Sequence, residues 1–105
     1  MAMHVEIFRH RINSEFRGEF DELYARMIKA IKGLEGYIGH KVYVADDGER
    51  MLVGYFESFE AVEKWDIHPE HKYAKERGKA DIFSEYDVMV AEVVERHVKP
   101  PNSAA

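Results

Sequence analysis

The segment from Phe59 to Tyr73 concentrates the side chains most able to do chemistry. It contains Trp65, the only tryptophan of the chain, and two of the six histidines, His68 and His71. An indole offers a broad surface on which flat molecules stack, and an imidazole exchanges protons near neutral pH. The segment predicts a small pocket for an aromatic or otherwise flat ligand. Its alternative is structural: a tryptophan that fills the gap between helix and sheet, with a histidine that caps the next turn.

The same histidines do not predict a metal site. In the zinc pattern His-Glu-x-x-His, two histidines lie four residues apart on one uninterrupted helix face. Here His68 and His71 are three apart, and Pro69 separates them. Glu70 is explained more simply as a first-turn acid that faces the positive end of a helix. We therefore expect no metal ligands in this segment.

Composition narrows the class of protein. A chain of 105 residues forms one domain, which we place at residues 1–98, with a disordered tail at 99–105. The absence of cysteine excludes disulfides and thiolate chemistry and fits a reducing, cytoplasmic location. A net charge of −5 argues against nucleic acid as a partner, and no apolar run is long enough to cross a membrane. No catalytic triad, phosphate loop or dinucleotide motif is present.

Apolar spacing predicts the order β-α-β-β-α-β. The predicted strands are residues 3–12, 37–45, 50–57 and 86–96. Asn13 or Ser14 begins the first helix, whose apolar positions recur at intervals of three and four residues. Ser58 caps the second helix, and Pro69 either ends it or begins a further helix that runs to about Lys79.

This order is typical of a ferredoxin-like split β-α-β sandwich, an α+β fold with a four-stranded antiparallel sheet and the helices on one face. The strands carry apolar residues on both sides, and the helices cover one side only. A second copy of the sheet packed against the other side would bury it, so the sequence predicts a homodimer.

A third histidine is placed near the pocket by strand alternation. His10 lies on the same side of the first strand as Phe8 and Ile12. If that side faces the helices, His10 points into the same cleft as Trp65. Otherwise it is a half-exposed strand histidine.

The middle of the chain resembles the antibiotic biosynthesis monooxygenase family of dimeric α+β barrels. The resemblance is carried by the sequence Tyr55-Phe56-Glu57-Ser58-Phe59-Glu60-Ala61, Trp65, His68-Pro69-Glu70-His71, Gly78, Phe83-Ser84-Glu85-Tyr86 and the turn Gly36-Tyr37-Ile38-Gly39. Members of the family include enzymes that oxidise phenols and quinols with dioxygen and without flavin or metal.

The resemblance implies a cofactor-independent monooxygenase that acts on a small phenolic or quinol-type substrate. His71 would be the base, His10 a second base or an orienting donor, and Trp65 the wall on which the substrate stacks. Further substrate contacts are expected from Tyr55, His68 and Tyr73.

Three alternatives stay open. Relatives that degrade haem use an asparagine, a tryptophan and a histidine. His10 stands where that asparagine would be and Trp65 matches the tryptophan, but the histidine would fall near Lys75, out of register with His71. The protein could also be a dimeric module that binds haem or an aromatic ligand without turnover. An isomerase or decarboxylase on the same scaffold is the third, since fold does not fix function.

Overall fold

The computed structural model describes residues 2–101, and its centre is one antiparallel sheet. Its elements are β1 (His4–Ile12), α1 (Arg17–Ile31), β2 (Tyr37–Val44), β3 (Arg50–Phe56), α2 (Phe59–Asp66), α3 (Pro69–Arg77) and β4 (Phe83–Glu92). The strand order is β2-β3-β1-β4, and the three helices lie on one side of the sheet. This confirms the predicted ferredoxin-like α+β fold. The predicted tail at 99–105 falls partly outside the described residues, and no described helix is long and apolar enough to cross a membrane.

Side-chain caps and a proline determine where α2 and α3 begin. The Ser58 hydroxyl accepts a hydrogen bond from the amide of Ala61 at 3.2 Å and caps α2. Pro69 occupies the first turn of α3, where its missing N–H costs nothing. The amide of Glu70 donates to Nδ1 of His68 at 3.2 Å, so an imidazole caps α3. Between them, α2 and α3 form a corner instead of one continuous helix.

Two element boundaries differ from the sequence prediction. Asn13 does not cap α1, because its side-chain amide donates to the carbonyl of Asp81 at 2.7 Å, and a short 3-10 turn, Ser14–Phe16, precedes the helix. The last strand spans Phe83–Glu92 instead of 86–96. Its partner is β1, and the pair begins at His4 opposite Glu92. The Val93 amide still donates to the carbonyl of Met3 at 2.9 Å, and residues 94–101 have no neighbouring strand.

Alternation along the central strands decides what faces the helices. In β1 and β3, His10 lies opposite Arg50 and Phe8 opposite Leu52, and all four side chains face the helix layer. The alternate residues of the two strands face the other side of the sheet, which the helices leave uncovered. They include Val5, Ile7, Met51, Val53 and Tyr55. β3 is a central strand of the sheet, and of the two placements left open for His10 the structure shows the one that faces the helices.

Two apolar clusters join the helices to the sheet. The first contains Ile31, Phe56, Ala61, Val62 and Trp65. The second contains Phe20, Leu23 and Ile82. Phe56 lies opposite His4, at the start of β1, and Ile12, at its end, packs on the second cluster. The helix layer is therefore anchored at its two ends, and the space between the anchors is less tightly filled.

Gly36 provides a sharp test of this packing. Its φ of +91° is strained for any other residue, and an added Cβ would lie 2.6 Å from Cβ of Ala61. Gly48 has nearly the same φ, +90°, but open space around it. We expect Gly48→Ala to cost about 1–2 kcal/mol in the free energy of unfolding from backbone strain. Gly36→Ala should cost a further ~1–3 kcal/mol from the clash. Urea denaturation measures both, and equal losses would contradict the close packing of Ala61 on Gly36.

Candidate functional site

The gap between the two apolar clusters is a cavity of about 160 Å³. Its wall is mostly apolar, with side chains such as Phe8, Phe20, Leu52, Phe56 and Phe83. The polar and aromatic groups in the wall are Glu6, His10, Tyr24, His40, Arg50, Trp65, Asp66, His71 and Lys75. The structure thus brings His10, Trp65 and His71, predicted from separate elements, to one cavity.

Trp65 and His71 form a stacked pair across the corner between α2 and α3. Their ring centroids are 4.4 Å apart and the planes differ by 10°. Nδ1 of His71 lies 3.0 Å from the carbonyl oxygen of Trp65. A carbonyl can only accept, so Nδ1 carries the proton and Nε2 keeps its lone pair. The backbone therefore fixes the tautomer of His71, a residue of the cavity wall, and leaves its Nε2 as a proton acceptor.

His71 is held in its neutral form. Its pKa is lowered to about 4, chiefly by burial and also by nearby Lys75, against the opposing effects of the Trp65 carbonyl and Asp66. The ring is uncharged at neutral pH, so its Nε2 is available to accept a hydrogen bond.

His10 is buried more deeply, with 2% of its surface exposed, and both of its ring nitrogens are engaged. Arg50 Nε–H donates to Nε2 at 3.3 Å, and Nδ1 lies 3.3 Å from the carbonyl oxygen of Phe8. The ring also stacks on Phe8, with centroids 4.3 Å apart. Burial lowers the pKa of His10 to about 4. With its lone pair bonded to Arg50, His10 is better placed to orient neighbours than to take a proton.

The two histidines belong to different ends of the cavity. Glu6 and His71 both lie within electrostatic range of Asp66 and Lys75, whereas His10 is four residues along β1 from Glu6. At about 3.3 Å per residue this separates the two Cα atoms by about 13 Å. Burial, reinforced by Asp66, raises the pKa of the Glu6 carboxyl. One end therefore offers His71 and Glu6, and the other offers His10 and Arg50.

A third histidine takes part in a chain of hydrogen bonds. The Tyr24 hydroxyl lies 3.0 Å from Nε2 of His40, and the Tyr37 hydroxyl lies 2.6 Å from Nδ1. A neutral imidazole donates at one nitrogen and accepts at the other, so one hydroxyl donates and the other accepts. Burial lowers the pKa of His40 and raises that of Tyr37. Tyr24 and His40 line the cavity, so this chain fixes part of its wall.

Three residues predicted to touch the substrate do not line the cavity. Tyr55 lies on the uncovered side of the sheet, because it alternates with Gly54 and Phe56. His68 is the cap of α3, with its ring 5.4 Å from Trp65. Tyr73 is 46% exposed on α3 and contacts Arg26. Sequence proximity to Trp65 suggested these roles, and strand parity and helix geometry direct the side chains elsewhere.

Four charged residues of the cavity wall, Glu6, Arg50, Asp66 and Lys75, were not among the site residues predicted from the sequence. Glu6 and Arg50 lie on the same strand faces as His10 and Leu52. Strand alternation was the signal that could have identified both. No group of three or more His, Asp or Glu side chains within residues 2–101 is arranged to hold a metal ion.

Fold and cavity together define an α+β protein with a largely apolar chamber between a four-stranded sheet and its helices. The sequence profile of the family described as Antibiotic biosynthesis monooxygenase matches residues 3–77. The chain belongs to the antibiotic biosynthesis monooxygenase family.

The chain is also similar to individual proteins of known sequence or structure. The chain is 32% identical over 82 residues to the uncharacterized protein YqjZ of Bacillus subtilis (strain 168), covering 78% of this chain and 72% of that protein. The structure of Rv0793 from Mycobacterium tuberculosis superimposes with a TM-score of 0.73 at 18% identity, over 98% of this chain and 99% of that one. Protein SO0527 from Shewanella oneidensis gives 0.76 at 12% identity, over 88% and 91%. The structural matches bear on the fold alone.

The buried histidines make stability depend on pH. Their folded pKa of about 4 lies below the ordinary 6.5, so the unfolded chain binds more protons between these values. The stabilisation is complete above about pH 6.5 and is lost as pH falls through 4, by about 3 kcal/mol at most for each histidine. Replacing His71 by Asn should therefore flatten the rise in the free energy of unfolding between pH 4 and 6.5. Urea titrations at each pH measure it.

Comparing the variant with the unsubstituted protein at each pH cancels the contributions of other groups to the pH dependence of stability. Glu6 is one of them, and its raised pKa makes stability fall as pH rises. His97→Asn is the matched control, since that side chain is 85% exposed. A pH dependence that His71→Asn leaves unchanged would contradict the neutral, buried imidazole.

Proposed function

We propose that the protein is a cofactor-independent monooxygenase that oxidises a small phenolic or quinol-type molecule with dioxygen inside this cavity. The observation that carries the proposal is the Trp65–His71 stack, which offers the cavity a proton acceptor at His71 Nε2 beside mostly apolar walls. Membership of the family supports the reaction class. The absence of cysteine fits the cytoplasmic location that we propose with it.

The reaction balances without a bound redox group. A phenol that becomes a quinone loses four electrons, and dioxygen takes them: one oxygen atom enters the ring and the other leaves as water. The hydroxyl proton must be removed, and we assign this role to His71 Nε2. The Glu6 carboxyl lies at the same end of the cavity as a second group that can accept a proton.

The pKa of His71 constrains the order of events. Full transfer from a phenol of pKa ~10 to an imidazole of pKa about 4 costs ~8 kcal/mol. That is about half of the barrier of a reaction with a turnover of ~10 per second. A phenol becomes far more acidic as it loses an electron. We therefore propose that His71 first accepts a hydrogen bond from the hydroxyl and takes the proton as the electron leaves.

The size of the cavity supports a small ligand. An engineered cavity of about 150 Å³ in another protein holds one benzene molecule, and this cavity is of similar size, about 160 Å³. A haem, with four pyrrole rings, is much larger than this cavity. We therefore retain a one-ring aromatic molecule as the proposed ligand.

The uncovered side of the sheet supports the proposed homodimer. It carries Val5, Ile7, Val53 and Tyr55 on the central strands, and Tyr43 and Met89 on the outer strands are both 46% exposed. Burying such a surface against a second copy would remove apolar area from water. Dimerisation would also place Tyr55 in an interface, which gives that side chain a role other than substrate contact.

Oxygen uptake with a panel of phenols and quinols tests the enzymatic proposal. We expect His71→Ala to lower kcat/KM by 10²–10⁴-fold, the usual contribution of a placed proton acceptor. His10→Ala should have a smaller effect, because its lone pair is bonded to Arg50. Since His71 is neutral down to about pH 4, kcat/KM of the unsubstituted protein should hold through pH 6.5 and fall only as pH approaches 4.

His71→Asn separates chemistry from structure in this test. An asparagine amide can donate to the Trp65 carbonyl in place of Nδ1 but has no counterpart of Nε2, so it should restore stability and not activity. His97→Ala should keep full activity. Uptake no faster than the spontaneous rate with every member of the panel rejects the enzyme for these substrates. Ligand binding without uptake would then favour a binding module.

Val53→Arg tests the dimer. It places a charge at the centre of the uncovered sheet side, and Glu63→Arg adds the same group to the exposed surface of α2 as a control. Light scattering after size exclusion should give twice the chain mass of 12.3 kDa for the unsubstituted protein and for Glu63→Arg, and the single-chain mass for Val53→Arg. A single-chain mass for the unsubstituted protein at micromolar concentration would contradict the dimer.

A further inference from the structure

Arg50 brings a positive charge to the wall of the cavity. It is the first residue of β3, and its side chain faces the helices together with Leu52 and Gly54. Its guanidinium carbon lies 5.2 Å from the centre of the Phe20 ring, and its Nε–H donates to Nε2 of His10. The guanidinium therefore lies between an aromatic ring and a neutral imidazole, at the end of the cavity opposite His71.

Arg50 differs from most other arginines of the chain because it is not paired with a carboxylate. Five of them form ion pairs with carboxylates, namely Arg9, Arg11, Arg17, Arg26 and Arg77. Within residues 2–101, Arg50 and Arg96 form no such pair, and of these two only Arg50 lines the cavity. Asp21, the acid that raises the pKa of Arg50, is already paired with Arg17, whose own guanidinium lies 5.7 Å from the same Phe20 ring. This end of the cavity therefore has an excess of positive charge.

A partly buried cation without a counter-charge favours an anionic ligand. Burial and the neighbouring Arg17 lower the pKa of Arg50, the direction expected when no acid compensates the charge. His10 accepts one hydrogen bond, so most of the five N–H donors of the guanidinium are left for another acceptor. A planar guanidinium pairs with a carboxylate through two parallel hydrogen bonds.

We propose that the cavity selects aromatic acids, with the ligand carboxylate bound by Arg50 and a ring hydroxyl directed to Nε2 of His71. The inference rests on the proposed function in that the ligand occupies this cavity, but it does not require turnover. The separation of about 13 Å between Glu6 and His10 along β1 sets the scale of the molecule. A single ring with an acidic side chain and a hydroxyl at opposite ends fits that scale and the cavity volume.

Calorimetric titration of matched ligands tests the inference. The probes are 4-hydroxybenzoate, 4-hydroxyphenylacetate and 3-(4-hydroxyphenyl)propionate, each compared with its neutral primary amide. We expect the best acid to bind the unsubstituted protein at least about tenfold more tightly than its amide, the usual effect of a charged hydrogen-bonded pair. Trp65 is the only tryptophan, so a change in its fluorescence during the titration reports that the ligand is in the cavity.

Variants then assign the preference to one side chain. Arg50→Gln should reduce the preference for acid over amide to about onefold and leave the affinity for the amide within about twofold. Arg50→Lys should keep part of the preference, because it retains the charge and loses the two-bond geometry. Arg26→Gln, which removes an equal charge from the exposed surface of α1, should keep all of it.

The outcomes separate this inference from the enzymatic proposal. Equal affinities of acids and amides for the unsubstituted protein overturn it without need of any variant, as does binding of neither series. A preference that persists in Arg50→Gln, with thermal melting showing a folded variant, also overturns it. A preference that requires Arg50 supports it even where no oxygen is consumed, in which case the monooxygenase proposal fails and the aromatic-acid site stands.

Discussion

Side-chain alternation along the two central strands is the constraint on which the interior of this protein depends. Glu6, Phe8 and His10 project into the cavity because they occupy every second position of β1. The same rule sends Val5 and Ile7 to the opposite side. A shift of one residue in the pairing of β1 with β3 would exchange the two sets, placing polar groups on an open sheet face and filling the cavity with aliphatic ones. Register thus determines the chemistry of the interior.

Two buried, neutral histidines lie in the cavity wall, and each ring has one N–H that needs a hydrogen-bond acceptor. The backbone carbonyls of Phe8 and Trp65 provide the acceptors. These bonds fix the tautomers, so the two rings present different faces to the cavity. Nε2 of His10 is bonded to Arg50, and Nε2 of His71 is not needed for structure. Two identical side chains with the same direction of pKa change therefore have different capacities to accept a proton.

Much of the fold could be predicted from the sequence because its signals are local. Helical spacing, the Ser58 cap, Pro69 and strand alternation predict the element order and reduce the orientation of His10 to two alternatives. The boundaries that differ from the prediction depend on distant partners: the Asn13 amide donates to the carbonyl of Asp81, 68 residues further along the chain, and β4 ends where β1 begins.

The cavity was predictable only in part. Trp65, His10 and His71 are rare residue types and stand out individually. Glu and Arg are residue types that are common at protein surfaces. Glu6 and Arg50 line the cavity because their positions in β1 and β3 direct the side chains toward the helices. Which side chains approach Arg50 is decided by how α1 lies over β3, and no pattern in a single sequence reports that packing. Strand parity keeps Tyr55 out of the cavity, and helix geometry does the same for Tyr73.

The stack of Trp65 on His71 also has an architectural consequence. The two rings belong to successive helices, and the hydrogen bond from His71 to the Trp65 carbonyl joins the end of α2 to the first turn of α3. Lys75 adds a second link, donating to the backbone carbonyl of Asp66 at 3.0 Å. The bend of the main chain and the position of the His71 ring therefore depend on the same contacts. Any substitution of this imidazole also removes a link between two helices.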